Sequence, residues 1–136
     1  MKWTVVQRRI REIWPKIAKH VPEREKRSEG HIAYKDIHVF EAMLYMIWHD
    51  LSMNTVLGPP YPTVHPLHRR ITALVQSRAL DLLWADYLSK LRKDELNAWV
   101  DAFDRVRKGR KGGISLGLAW CTILWRGVED RLGKRE

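Results

Sequence analysis

Asp36-Ile37-His38-Val39-Phe40-Glu41-Ala42-Met43-Leu44-Tyr45-Met46-Ile47-Trp48, followed by Gly58-Pro59-Pro60-Tyr61-Pro62 and then Thr63-Val64-His65-Pro66-Leu67-His68-Arg69-Arg70-Ile71, is the succession that decides the fold. In the first segment Phe40, Leu44, Ile47 and Leu51 recur at helical spacing, widened by Ile37, Met43 and Trp48. This predicts a strongly apolar helix over 36–54 near the centre of the core, with Asp36 as its N-cap. The second segment cannot be helical, because proline lacks the N–H and fixes φ. Thr63 is placed to cap the helix that follows, and Pro66 falls in its first turn, where a missing N–H costs little. That helix should end near Ser77. It carries His68, Arg69, Thr72 and Gln76 on one face and Leu67, Ile71, Leu74 and Val75 on the other. Helix, irregular connection and basic helix make a helix-turn-helix-like layout.

The flanking segments repeat the helical period. Over 3–21, Val6, Ile10, Ile13, Ile17 and Val21 form an apolar stripe opposite Arg8, Arg9, Arg11, Lys16 and Lys19. Pro15 should kink or split this helix near Trp14. Residues 22–35 are a charged connector with too few apolar side chains to bury, expected to be a mobile loop. Leu80, Leu83, Trp84, Tyr87, Leu88 and Leu91 continue the period after a break at Ser77-Arg78. Asp94 opens another helix with Leu96, Trp99, Val100, Phe103 and Val106 inside. Residues 108–113 combine Lys108, Arg110 and Lys111 with three glycines, a flexible basic linker. A last helix over 114–132 carries Leu118, Trp125 and Val128. Period-two alternation is absent, so the fold class is all-α. The expected architecture is one compact multi-helix domain over 1–136, with its helix-turn-helix-like core at 36–91.

At 136 residues with 45% apolar content, the chain is long enough for one domain with a real core. Lys and Arg number 25 against 16 Asp and Glu, a formal charge of +9. Such a field favours a polyanion, nucleic acid before an anionic membrane. The single Cys121 lies in an apolar run and reads as a small buried hydrophobe, so no disulfide framework is possible. Met1-Lys2-Trp3-Thr4 opens no apolar signal segment, and 114–125 is too short for a membrane span. A cytoplasmic protein without a membrane partner is expected.

Catalytic constellations do not assemble. The glycines at 109, 112 and 113 lack the Lys-Ser/Thr ending and the preceding strand of a phosphate cradle. His65 and His68 are three apart, a spacing open to a metal, but they read better as polar side chains on an exposed helix. No catalytic residue, metal or cofactor is assigned.

Phe40-Glu41-Ala42-Met43-Leu44-Tyr45-Met46-Ile47, with Thr63-Val64-His65 and Arg69-Arg70 further on, resembles the N-terminal helical domain of insertion-sequence transposases. There an aromatic-x-x-Ala-x-Leu-Tyr helix precedes a Trp-Arg-x-Leu-Pro turn-helix and a Thr-Val-Tyr/His-x-x-Phe/Leu-x-Arg helix. The likeness covers 36–91, and Val21-Pro22 matches the Leu-Pro or Val-Pro that ends the family's first helix. Trp48-His49-Asp50 replaces the family's Arg-Thr-Gly, and Met53-Asn54-Thr55-Val56-Leu57 replaces Trp-Arg-x-Leu-Pro, keeping only the apolar Val56. The resemblance implies a DNA-binding unit of the mobile-element, transposition type. Full-length members continue into an RNase-H-like domain with three metal-binding carboxylates. Residues 92–136 here read as helices instead, so no enzyme activity is expected.

Two function classes follow. In the first, double-stranded DNA is the partner. Thr63, His65, His68, Arg69, Thr72 and Gln76 reach base edges or phosphates, and Arg70 and Arg78 contact the backbone. Arg8, Arg9, Arg11, Lys108, Arg110 and Lys111 add phosphate contacts. Paired half-sites would bring in a second copy, a homodimer through the Trp-bearing C-terminal helices, though no residue signals it directly. In the second, the chain is an element-encoded or phage-encoded inhibitor or adaptor whose partner is an acidic protein.

Overall fold

The computed structural model describes residues 1–23, 34–109 and 112–133. Six α-helices follow one another: α1 (Trp3–Ile17), α2 (Asp36–Trp48), α3 (Val64–Gln76), α4 (Ala79–Ser89), α5 (Lys93–Arg107) and α6 (Ala119–Leu132). A 3-10 turn, Ala18–His20, extends α1. Among the described residues there is no strand, and the all-α class holds. No helix there is long and apolar enough to cross a membrane.

Helix α2 is buried nearly all round: Val39, Phe40, Glu41, Ala42, Met43, Leu44, Met46 and Ile47 are inaccessible. A helix apolar on every side belongs in the interior, and α2 packs against α1, α3 and α5. Helix α4 is the second pillar, packed on α1, α3 and α6. Aromatic rings join the pillars. Trp84 stacks on Tyr87 at 5.2 Å, and Phe40 meets Tyr87 edge-on at 5.6 Å. Trp99 stands across Trp84 at 5.7 Å. The indole N–H of Trp84 donates to the Leu124 carbonyl (2.8 Å) and that of Trp99 to Tyr87 Oη (3.3 Å), so these large rings are buried without an unmet donor. Gly127 of α6 sits against Trp84, where a Cβ would come within 2.5 Å of Cδ1, so glycine lets α6 close onto α4.

Several boundaries differ from the sequence expectation for physical reasons. Pro15 does not split α1 near Trp14. The helix runs to Ile17 and only then tightens into the 3-10 turn. Ile10, Ile13 and Ile17 are completely or almost completely buried on one stripe, and that burial outweighs one lost hydrogen bond. Asp36 is the first helical residue, with Lys35 at the N-cap position. Helix α2 stops at Trp48, six residues short of Asn54. Asp50 takes φ +51, the Leu51 N–H bonds Met46 O (2.9 Å) and the Asp50 N–H bonds Ile47 O (3.2 Å). This is a Schellman ending with Asp in the usual glycine position. Thr63 occupies the N-cap position of α3, but its side chain makes no capping bond. The break at Ser77-Arg78 is present, with Arg78 left-handed at φ +62. The last helix begins at Ala119, not Ile114, because Ser115 Oγ accepts the Gly117 N–H (3.1 Å) and holds a turn. Connector residues 24–33 and linker residues Arg110 and Lys111 lie outside the described residues. Beside them, Gly109 and Gly113 pack against the Asp50 carboxylate.

Candidate nucleic-acid interface

Helix α3 presents two unlike sides. Leu67, Ile71 and Leu74 are buried against α2, α4 and α6. His65, Arg69, Thr72 and Gln76 are exposed at i, i+4, i+7 and i+11, a single stripe along the outer face. Thr63 at one end and Arg78 at the other are exposed as well. Among the described residues none of His65, Arg69, Thr72, Gln76 or Arg78 has a side-chain hydrogen bond or ion pair.

The other basic residues are differently employed. Arg70, one position from Arg69, faces inward. Its Nε donates to Asp36 Oδ1 (2.8 Å), and its Nη2 donates to Asp36 Oδ2 (3.2 Å) and the Pro22 carbonyl (3.0 Å). With 13% of its side chain exposed, it ties α3 to the start of α2. His68 is half-buried, with Nε2 3.3 Å from the Met53 carbonyl, which holds the 49–63 connection against α3. Arg11 Nε donates to Glu41 Oε1 (3.0 Å), and Tyr61 Oη donates to Glu41 Oε2 (2.8 Å). Glu41 is fully buried, and Gln7 Nε2 donates to Tyr61 Oη (3.2 Å). Burial and then the neighbouring Glu41 carboxylate push the Tyr61 hydroxyl up to about 12. The Glu41 hydrogen bond likewise raises Arg11. Tyr61 is therefore a neutral donor and Arg11 a cation at physiological pH. Together they pin the segment leading into α3 onto α1 and α2.

Arg9 is also used internally. Its Nε lies 3.1 and 3.3 Å from the two oxygens of Glu95, and its Nη2 donates to the Lys90 carbonyl (2.7 Å). Glu95 completes the arrangement by accepting the Arg92 N–H (2.9 Å) at the start of α5. Arg8 is exposed on α1, and Lys108 is exposed at the end of α5.

The expected site thus separates into three sets. Thr63, His65, Arg69, Thr72, Gln76 and Arg78 share one helix and its ends. Arg9, Arg11, Arg70 and His68 hold elements together, and Arg8 and Lys108 stand on other helices. No family model, curated protein or solved structure matches this chain. The outer face of α3 has to be read from its own chemistry.

That chemistry is polar and adaptable. Arginine offers a fork of donors, glutamine and threonine offer both donor and acceptor, and histidine offers either according to tautomer. Thirteen residues make a rod about 20 Å long. Among the described residues no group of three His, Cys, Asp or Glu is placed to hold a metal. His65 and His68 diverge, one outward and one onto Met53 O.

Sequence reasoning missed the mounting residues Glu41, Tyr61, Gln7 and Glu95. One signal was available. Glu41 is a lone carboxylate inside the apolar run from Val39 to Leu44, and such a residue needs an internal partner. No local signal joins Arg9 to Glu95, which are 86 positions apart.

Proposed function

We propose that this chain is a non-catalytic DNA-binding module, similar in layout to the N-terminal helical domain of insertion-sequence transposases. In this reading α2, the 49–63 connection and α3 act as a helix-turn-helix-like unit with an extended turn, and α3 is the reader. A major groove about 12 Å wide admits one helix. Arg69 and Gln76 reach base edges, His65 and Thr72 reach bases or phosphates, and Arg78 and Thr63 meet the backbone at the two ends. The observation carrying the proposal is the unspent stripe His65–Arg69–Thr72–Gln76 on a helix whose inner face and approach are pinned by ion pairs. A rigidly held helix with free polar groups is what base recognition needs. The +9 charge supplies the long-range attraction.

The test is fluorescence anisotropy of a labelled duplex at two salt concentrations. Neutralising three phosphates gives a log–log salt slope of about −2.7, roughly a forty-fold loss between 50 and 200 mM. Absence of binding at the lower salt overturns the proposal. Arg69→Ala with Arg78→Ala is the informative double variant, because both side chains are free. Arg70→Ala is not, since it breaks the tie to Asp36.

A second reading has its own support. Arg8, Lys16, Lys19 and Lys108 are exposed on α1, the 3-10 turn and the end of α5, away from α3. Cations spread over several elements suit steering towards an acidic protein surface. Under that reading the Arg69/Arg78 variant leaves partner binding intact and duplex binding is absent in the parent.

A further inference from the structure

The molecule carries two sets of aromatic rings. Phe40, Trp84, Tyr87 and Trp99 are sealed in the core, each 1% exposed. The second set stays at the surface, along the edge where α1 meets α2. Trp3, Tyr45 and Tyr61 are half-buried there, and His49 is exposed. Their rings are continuous: Trp3 lies 5.2 Å from Tyr45 and 5.7 Å from His49. Tyr45 lies 4.1 Å from His49 and 6.5 Å from Tyr61. His49 Nδ1 is 3.1 Å from the Tyr45 carbonyl, while His49 Nε2 and the Tyr45 hydroxyl make no hydrogen bond among the described residues. Polar and cationic side chains border the rings. Trp3, Gln7 and Arg11 follow one another at i, i+4 and i+8 on α1, with Thr4 and Arg8 beside them. Thr4, Gln7, Arg8, Arg11 and Glu12 line an open concavity of about 420 Å³, and Gln7 Nε2 joins it to the ring edge by donating to Tyr61 Oη (3.2 Å). Two carboxylates there are matched within the chain, Glu12 by Arg9 (3.4 Å) and the buried Glu41 by Arg11 (3.0 Å). Asp50, which follows His49, is half-buried with Oδ1 enclosed. Among the described residues Lys2 and Arg8 have no ion-pair partner.

We propose that this edge is a stacking surface for the unpaired bases of single-stranded DNA. Aromatic rings stack on any base, because every base has a π-face, and cations alongside them hold the phosphates. A duplex keeps its base faces between neighbouring pairs, so rings on a protein surface meet only bases that have left the stack. The edge therefore suits a different state of the polymer from the outer face of α3, whose polar side chains suit base edges in a groove. Trp3, Tyr45 and His49 supply the ring contacts, and Arg8 and Lys2 supply the free positive charge. The choice of DNA rests on the reading above, while the choice of unpaired bases rests on these rings alone.

Fluorescence anisotropy with two labelled oligonucleotides of equal length reads the outcome. One is oligothymidine, and the other is an abasic strand with the same phosphates and no bases. The parent binds oligothymidine at least about fivefold more tightly, the lower end of what one stacked base contributes. His49→Ala and Tyr45→Leu, separately and together, bring that ratio towards one and leave abasic binding nearly unchanged. Arg8→Ala weakens both strands by the same factor, because it removes a phosphate contact only. Circular dichroism checks each variant, and His49→Ala, which removes an exposed ring, keeps the test open if Tyr45→Leu does not fold. Arg69→Ala with Arg78→Ala leaves the ratio intact, so a parent that keeps the ratio but binds no duplex refutes the α3 reading and supports this one. Equal affinity for the two strands overturns the proposal, since attraction to phosphate then accounts for all binding. So does a ratio that survives both ring variants, or an oligouridine bound more tightly than oligothymidine.

Discussion

Arg69 and Arg11 are both exposed or half-exposed arginines on amphipathic helices, yet the molecule uses them in opposite ways. Arg11 lies over the fully buried Glu41 and neutralises a charge that would otherwise stand alone in the core. Among the described residues Arg69 makes no side-chain hydrogen bond or ion pair. The difference teaches that net charge overstates the surface available to a polyanion. Arg9, Arg11 and Arg70 serve as fasteners between elements distant in sequence, whereas Arg69 on the outer face of α3 and Arg78 at its end do not. In this protein fastening and presenting are divided between neighbouring side chains, most sharply between Arg69 and Arg70.

The contrast can be broken by substitution. The largest effect belongs to Arg11→Ala, which leaves the buried Glu41 without its cation and with the Tyr61 hydroxyl as its remaining donor. Urea unfolding at neutral pH should show a loss of about 3 kcal/mol. Adding Glu41→Leu should recover most of it, because an apolar residue tolerates that site. A cost below about 1 kcal/mol would mean that Glu41 finds another partner. Arg70→Ala should cost about 2 kcal/mol in the same assay, through the lost charge-assisted bonds to Asp36 and Pro22 O. Arg69→Ala should change stability by no more than about 0.5 kcal/mol while weakening duplex binding by about 1–3 kcal/mol. If both arginines affect stability equally, the division proposed here fails.

Two smaller effects sharpen the picture. Asp86 accepts from Lys90 and from His20 (2.8 Å), and these hydrogen bonds, Lys90 foremost, hold its carboxyl at about 2. A carboxyl depressed in the folded state stabilises it above the unfolded value near pH 4 and loses that contribution as pH falls towards 2. Acid titration of thermal stability should show this limb in the parent, and Asp86→Asn should flatten it. Last, Arg78→Gly relieves a left-handed residue, so stability should move by no more than about 1 kcal/mol. Duplex affinity should still fall, because a free cation at the end of α3 is gone. Unchanged affinity would remove Arg78 from the proposed interface.

Much of the fold was legible in the chain. The periods in α1, α2, α3, α4 and α5 put Ile10, Phe40, Leu67, Trp84 and Phe103 in the core, because helical spacing and burial express the same geometry. The turn at Ser77-Arg78 was also legible. The ends were less so. Helix α2 terminates at a left-handed Asp50, where composition suggests no stop, and α6 is shortened by a Ser115–Gly117 turn. Both depend on local hydrogen bonds that compete with a continuing helix, and neither alters hydrophobic periodicity.

For the candidate site, sequence alone determined that α3 is basic and amphipathic and that the chain as a whole carries a formal charge of +9. Residue type and spacing suffice for that. Only the tertiary structure decided which cations are free. Glu95 reaches Arg9, Glu41 reaches Arg11 and Asp36 reaches Arg70 across 86, 30 and 34 positions. The pairing of charges that far apart is set by how helices pack, and no local pattern encodes it.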